Sequence, residues 1–400
     1  MYSRYLKVLL TLSAIVISPF FLIILFIMNC GEMYSSKEIA DIQLEEKKDF
    51  IISASAFHEQ NYAYKKALFL KAKPKIVSIG SSRVMQFRSA FFNKSFINLG
   101  GTAGSLKEAM YFIDNVILQS PPDIAIIGLD IWWFNENYIS PDVDVIIDPS
   151  LYDINHRNLI YTTKEMVRVY DWIRNKKITL SEFINVIIGR DSNGCGIGVR
   201  AMFDRSGFGP DGSLYYTSIV TGQKRSDDVS FNNTKTRIEK GRDRFQYGKI
   251  AHSNYINMLE EILSTLHKND IETIIFFPPF AEAVNNAMDM LGDKYQYIDD
   301  LKAKLKELGI HYYDFTNARL LGSDDCEFMD GFHCGDLTYA KVLKYIYNDD
   351  SSIREYINIS YIDSVINNYK GKAFIPDVRV TSLPEIDFLY LGCNKEIYQE

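Results

Sequence analysis

The first break in the pattern of apolar and polar positions falls near the start of the chain. From Val8 to Gly31 no residue is charged, and most are Leu, Ile, Val, Phe or Met. At about 1.5 Å per helical residue, such a run covers a hydrocarbon core of ~30 Å. This predicts a transmembrane helix over 8–31, in which Pro19 is tolerated. Arg4 and Lys7 precede it, so the positive-inside rule makes residues 1–7 a cytoplasmic tail. Everything that follows then lies on the periplasmic or extracellular side of an inner or plasma membrane. A cleaved signal peptide is the rival, but "IMNCGEM" is not a small-x-small exit site, and Asn29 stands where a lipoprotein cysteine at Cys30 needs a small residue.

Residues 32–72 are polar and helix-compatible, and read as a stalk or linker helix. At Lys73 the pattern changes again. "KPKIVSIGSSR" and "SFINLGGTAGSL" each pair a short β-rich run with a glycine turn, and "IAIIGLDIWWF" is continuously apolar, as a parallel strand covered on both faces should be. Between about 137 and 250 the sequence turns to helical pieces and a Gly- and Ser-rich stretch, which reads as an insertion capping a site. The strand–helix alternation then resumes with "HSNYINMLEEILSTLHKND", "IETIIFF", "DKYQYIDDLKAKLKELG", "IHYYDFT" and "GDLTYAKVLKYIYN". The pattern over 73–350 predicts an α/β domain with a flavodoxin-like, doubly wound parallel sheet. Residues 351–400 form a C-terminal extension that wraps the domain or extends its core.

Composition narrows the function classes. The net charge is −7 with both signs interspersed, so no basic face for nucleic acid exists. Five cysteines are too few for a disulfide scaffold, and their spacing with His suggests no metal site. Cys326 and Cys334 bracket a chemically interesting segment. In an oxidising compartment they form a local bridge; otherwise they are two isolated thiols. Aromatic residues make up 14% of the chain, which suits ring packing or stacking on sugars.

Four blocks carry the candidate chemistry: "IGSSR" (79–83), "NLGGTAG" (98–104), "GLD" (128–130) and "DGFH" (330–333). A serine hydroxyl needs an imidazole to take its proton, and the imidazole needs a carboxylate to hold its tautomer. Asp-x-x-His on one loop before a helix supplies both. Asp153 and His156 repeat that spacing, but without a preceding strand or a following core helix. His311 opens a strand and reads as structural, and His58, His252 and His267 as surface residues.

In this order the blocks resemble those of the SGNH, or GDSL-type, hydrolase superfamily. The likeness is greatest to membrane-anchored members that acylate or deacylate envelope polymers, such as D-alanyl transfer and alginate acetylation proteins. The resemblance implies the SGNH hydrolase fold, Ser82 as nucleophile, Asp330 and His333 completing a triad, and no cofactor or metal. It implies an oxyanion hole from the N–H groups of Ser82 and of the Gly100-Gly101 turn. Where the superfamily has Gly-x-Asn-Asp, this chain has Gly128-Leu129-Asp130-Ile131. Asp130 is then protonated by burial, or points away while Asn135 or backbone groups donate, or catalysis is weak. Arg83 pairs with Asp130 or binds an anionic substrate. Trp132 and Trp133 offer a sugar-stacking platform or pack the core.

The expected function is that of a membrane-anchored serine esterase or O-acyltransferase. It would move O-acetyl groups on a cell-envelope polysaccharide, with a membrane-embedded acyl donor as partner in the transfer case. The alternative is a catalytically silent polysaccharide-binding or assembly protein of the same fold.

Overall fold

The computed structural model describes residues 2–45, 50–55, 61–139, 158–190 and 196–395. His58, Asp153 and His156 lie outside the described residues. The chain divides into two compact units, residues 1–64 with 148–210, and residues 65–147 with 211–400. This division differs from the expected one: the segment 32–72 and the insertion 137–250 are each split between the units.

The first unit opens with a helix over Tyr2–Asn29. Its last turns bury one face in protein, while Leu22, Leu25 and Met28 remain exposed. Phe26, Ile27 and Cys30 are buried in a core with Val169, Ile178, Phe183, Val186 and Val199. Phe26 stacks on Phe183 at 4.9 Å, and the Asn29 amide donates to Val186 O and Ile187 O. Apolar residues at the end of the run therefore form a protein interior. Among the described residues no helix is long and apolar enough to cross a membrane. The expected transmembrane span over 8–31 is withdrawn, and with it the cytoplasmic tail and the single-pass membrane location.

The rest of this unit combines local helix caps with strand pairings between distant segments. Two helices, Ser36–Gln43 and Leu180–Ile187, begin with capping boxes (Ser35 with Glu38, Thr179 with Glu182) that satisfy their first free N–H groups. Ile52–Ser53 pairs in parallel with Gly196–Ile197, and Ser53 pairs antiparallel with Phe208. This small sheet is mixed.

The second unit is an α/β fold on a five-stranded parallel sheet. Its strands are β1 (Ile76–Gly80), β2 (Phe96–Gly100), β3 (Ile124–Gly128), β4 (Glu272–Phe277) and β5 (Tyr313–Asp314), in the order β2-β1-β3-β4-β5. That is the flavodoxin-like order. β1 to β3 are buried at every residue, which is why their sequences do not alternate. Both faces of β4 are covered: Phe276 packs on Tyr339, while Phe277, pointing the other way, packs on Phe134 and Tyr312. The helices used below are α1 (Leu106–Asn115), α2 (Asn232–Lys240), α3 (Ser253–Lys268) and α4 (Asp336–Asp349).

The chain passes from β1 to β2 on one side, then returns to β3 on the other. The carboxyl ends of β1 and β3 therefore form the switch point, where an open parallel sheet leaves a crevice for chemistry. Gly80-Ser81-Ser82 and Gly128-Leu129-Asp130 sit there.

Candidate active site

Ser82 opens a single 3-10 turn, Ser82–Val84, two residues past the end of β1. Ser81 caps that turn by accepting the Arg83 N–H at 3.2 Å. Asn98 at the centre of β2 steadies the same segment, its amide donating to Val84 O (2.9 Å) and Phe87 O (3.0 Å). The Ser82 hydroxyl is thereby presented at the switch point, partly open to solvent.

His333 and Asp330 arrive on the loop that leads into α4. Ser82 Oγ lies 2.8 Å from His333 Nε2, and His333 Nδ1 lies 2.7 Å from Asp330 Oδ2. The other carboxylate oxygen, Asp330 Oδ1, accepts the backbone N–H groups of Phe332 (2.9 Å) and His333 (2.8 Å). Both acid oxygens are thus engaged, and the carboxylate fixes the loop as well as the imidazole. Burial disfavours the charge on Asp330, but His333 and the two N–H donors outweigh it and hold the carboxyl below its ordinary range. An ionised acid on Nδ1 leaves Nε2 to accept the serine proton.

The loop has a further support. Asp228, buried, accepts the Gly331 N–H at 2.9 Å through Oδ2, and both oxygens are anchored by Thr234 (2.6 and 3.0 Å). Nothing in the sequence around Asp228 marks it. Its role depends on a fold that brings residue 228 against residue 331.

The expected oxyanion donors do not converge. Gly100 N–H donates to Asn98 Oδ1 at 2.8 Å. Gly101 folds back in a left-handed conformation (φ +85°), and its N–H donates to Gly80 O (2.9 Å) and Ser81 O (3.0 Å). Asn135 is 0% exposed, its amide donating to Gln246 O at 2.6 Å and its carbonyl accepting the Asn137 N–H. Among the described residues the Ser82 N–H has no acceptor, so it remains available to a developing oxyanion.

Arg83 is not a substrate-binding residue. Its side chain is 1% exposed, with Nη1 3.2 Å from Asp130 Oδ1. Nε donates to Phe332 O (2.8 Å), and Nη2 to Pro278 O (2.8 Å) and Pro279 O (2.6 Å). Asp130 is equally buried, and its Oδ2 has no hydrogen-bond partner among the described residues. Burial pushes its carboxyl above the ordinary range, against the pull of Arg83, the nearby Ser81 hydroxyl and Arg244. Trp132 and Trp133 are 2% and 1% exposed, so neither stacks on a sugar. Trp132 instead packs with Phe245, Phe280 and Phe332 beneath the site.

The local bridge between Cys326 and Cys334 does not form. Cys326 pairs with Cys393, 67 residues away in sequence, whereas Cys334 is a buried free thiol donating to Pro279 O. Burial pushes the Cys334 thiol up to about 12. Cys334 faces the interior beneath Arg83, so it cannot meet Cys326 at the surface end of the loop. The residues after 350 are tied to the same loop: Asp336 N–H donates to Ala373 O (2.7 Å), and Lys395 reaches Cys326 O and Glu385.

Fold and site together define an α/β protein of flavodoxin-like strand order with a hydrogen-bonded Ser–His–Asp array at its switch point. No protein-family model matches this chain, and no curated protein sequence matches it.

Proposed function

We propose that this chain is an SGNH-type serine esterase or O-acyltransferase acting on acyl esters, in particular O-acetyl groups, of a cell-envelope polysaccharide. The observation that carries the reading is the unbroken series Ser82 Oγ–His333 Nε2 (2.8 Å) and His333 Nδ1–Asp330 Oδ2 (2.7 Å). Ser82 Oγ attacks the acyl carbonyl while His333 Nε2 takes its proton, and Asp330 stabilises the resulting imidazolium. Collapse of the tetrahedral adduct breaks the ester C–O bond. The alkoxide takes the proton from His333, and the acyl group stays on Ser82. Water in hydrolysis, or a sugar hydroxyl in transfer, then gives its proton to His333 and attacks the acyl-serine. The acyl carbon–Oγ bond breaks, and His333 returns the proton to Ser82 Oγ.

A second reading, a catalytically silent polysaccharide-binding or assembly protein of this fold, is favoured by one observation. None of Gly100, Gly101, Asp130 and Asn135 offers a free oxyanion donor. Hydrolysis of 4-nitrophenyl acetate separates the two. The enzyme reading expects turnover by the wild type that Ser82→Ala abolishes; equal release by both supports the silent one.

A further inference from the structure

Two guanidinium groups stand beside the catalytic loop with no ion-pair partner among the described residues. Arg244 is exposed, and its guanidinium carbon lies 5.7 Å from the Phe332 ring centre and 5.9 Å from that of Trp132. Arg237, on α2, lies 5.8 Å from the Phe332 ring centre, and its Nε donates only to the neutral Asn233 side chain. The Phe332 ring is itself 4.3 Å from the His333 ring, so both cations and the imidazole pack near the same aromatic ring.

Three further facts set Arg244 apart from an ordinary surface arginine. Its charge reaches into the site, acting on the buried Asp130 and on Tyr138. Tyr138 in turn donates to Gly104 O at 3.1 Å, in the loop that follows β2. Arg244 and the preceding Asp243 both sit at positive φ (+81° and +52°), a conformation unfavourable for a non-glycine residue. The neighbouring acid does not neutralise it, because Asp243 pairs with Arg242. The backbone at Asp243 and Arg244 therefore presents, beside the Phe332 and Trp132 rings, a cation with no direct ion-pair partner among the described residues.

We infer that Arg244, with Arg237, forms a subsite for an anionic group on the substrate, a carboxylate or a phosphate, beside the ester that Ser82 attacks. The inference rests on the esterase or acyltransferase reading above and adds that the substrate is an acidic ester. Phe332 and Trp132, packed edge to face, supply an apolar corner beside the Arg244 guanidinium, whose donors can take a bidentate anion.

The test compares three aryl acetates that differ in one substituent: 3-acetoxybenzamide (neutral), 3-acetoxybenzoate and 3-acetoxyphenyl phosphate. The wild type should prefer at least one anion over the amide in kcat/KM, by about tenfold at low ionic strength, and less so as salt screens the charge. The carboxylate and phosphate arms identify which anion the subsite takes. Arg244→Gln should reduce that preference ratio several-fold, and Arg237→Gln combined with it should bring the ratio close to one. A wild-type ratio near one, or a ratio unchanged in the double variant, overturns the inference while leaving the esterase reading intact. Equal losses on the amide and the anions would also overturn it and assign Arg244 to oxyanion stabilisation. If the wild type hydrolyses none of the three and Ser82 takes no acyl group, the underlying reading fails, and the subsite with it.

Discussion

Arg83 and Asp130 form an ion pair in which each side chain is only 1% exposed, with Nη1 3.2 Å from Oδ1. The pair joins the residue after Ser82 to the end of β3. The remaining donors of Arg83 reach Phe332 O, Pro278 O and Pro279 O, so one guanidinium links the serine turn, the histidine loop and the end of β4. Only a planar fork with several fixed donors can do this.

Removing one partner of such a pair leaves a buried charge uncompensated. Arg83→Met should lower stability by about 3–5 kcal/mol and abolish ester turnover, because the serine turn and the histidine loop lose their common tie. Arg83→Lys should recover little of either, since an ammonium cannot reproduce the fork. Urea unfolding followed by circular dichroism checks the first part, and a neutral aryl acetate the second.

The two carboxyls near the serine should give opposite pH dependences. The Asp130 carboxyl is raised in the folded state, so its contribution to stability is greatest at low pH and falls as pH climbs from the unfolded value of about 3.9 through the folded one. The Asp330 carboxyl is lowered, so its contribution is present above about 3.9 and is lost as pH falls through its folded value. Unfolding free energies between pH 3 and 7 should therefore decline less steeply with rising pH in Asp130→Asn than in the wild type. In Asp330→Asn the loss of stability on acidification should be smaller than in the wild type.

The Cys326–Cys393 bridge closes a segment of 67 residues onto the loop that carries Asp330 and His333. Chain-entropy arguments give such a cross-link about 4 kcal/mol at most. Dithiothreitol should lower the wild-type urea midpoint, and a Cys326→Ser/Cys393→Ser variant should show that lower midpoint with or without reductant. An unchanged wild-type midpoint would mean that the C-terminal residues hold the loop through Asp336, Glu385 and Lys395 alone.

Asp228 supports the loop of Asp330 and His333 through Gly331. Asp228→Ala leaves the Gly331 N–H and both Thr234 donors without their acceptor, which should cost about 2–3 kcal/mol in stability. The catalytic loop should also lose its register, lowering kcat by about tenfold or more. Asp228→Asn, which keeps one acceptor oxygen, should recover part of both. A stability loss with kcat unchanged would assign Asp228 to folding only.

The parts of this site that were legible from sequence are those encoded locally. Ser82 follows a buried apolar strand, and Asp330 and His333 share one short loop, but only the resemblance of these blocks to the SGNH superfamily nominated the three together. The parallel α/β sheet was legible from the alternation of buried strands with amphipathic helices. What failed depends on distant partners. Gly100 and Gly101 look like open donors until Asn98, Gly80 and Ser81 take their N–H groups. Asn135 and Trp132 look presented to a substrate until Gln246 takes the one and Phe245 and Phe332 pack on the other, and Trp133 is buried with them. Cys326 has its partner at Cys393, not at the nearer Cys334. The apolar run at the N-terminus follows the same rule: its length suggested lipid, but Phe26, Ile27 and Cys30 find their apolar neighbours in residues 169–199.

The account turns on whether Ser82 is an activated nucleophile. Intact-protein and peptide mass spectrometry after treatment with a fluorophosphonate measures this directly. The account predicts one adduct per chain on the peptide containing Ser82, absent in Ser82→Ala and strongly slowed in His333→Ala. Wild-type protein that takes no adduct, or an adduct that persists in Ser82→Ala, would contradict it.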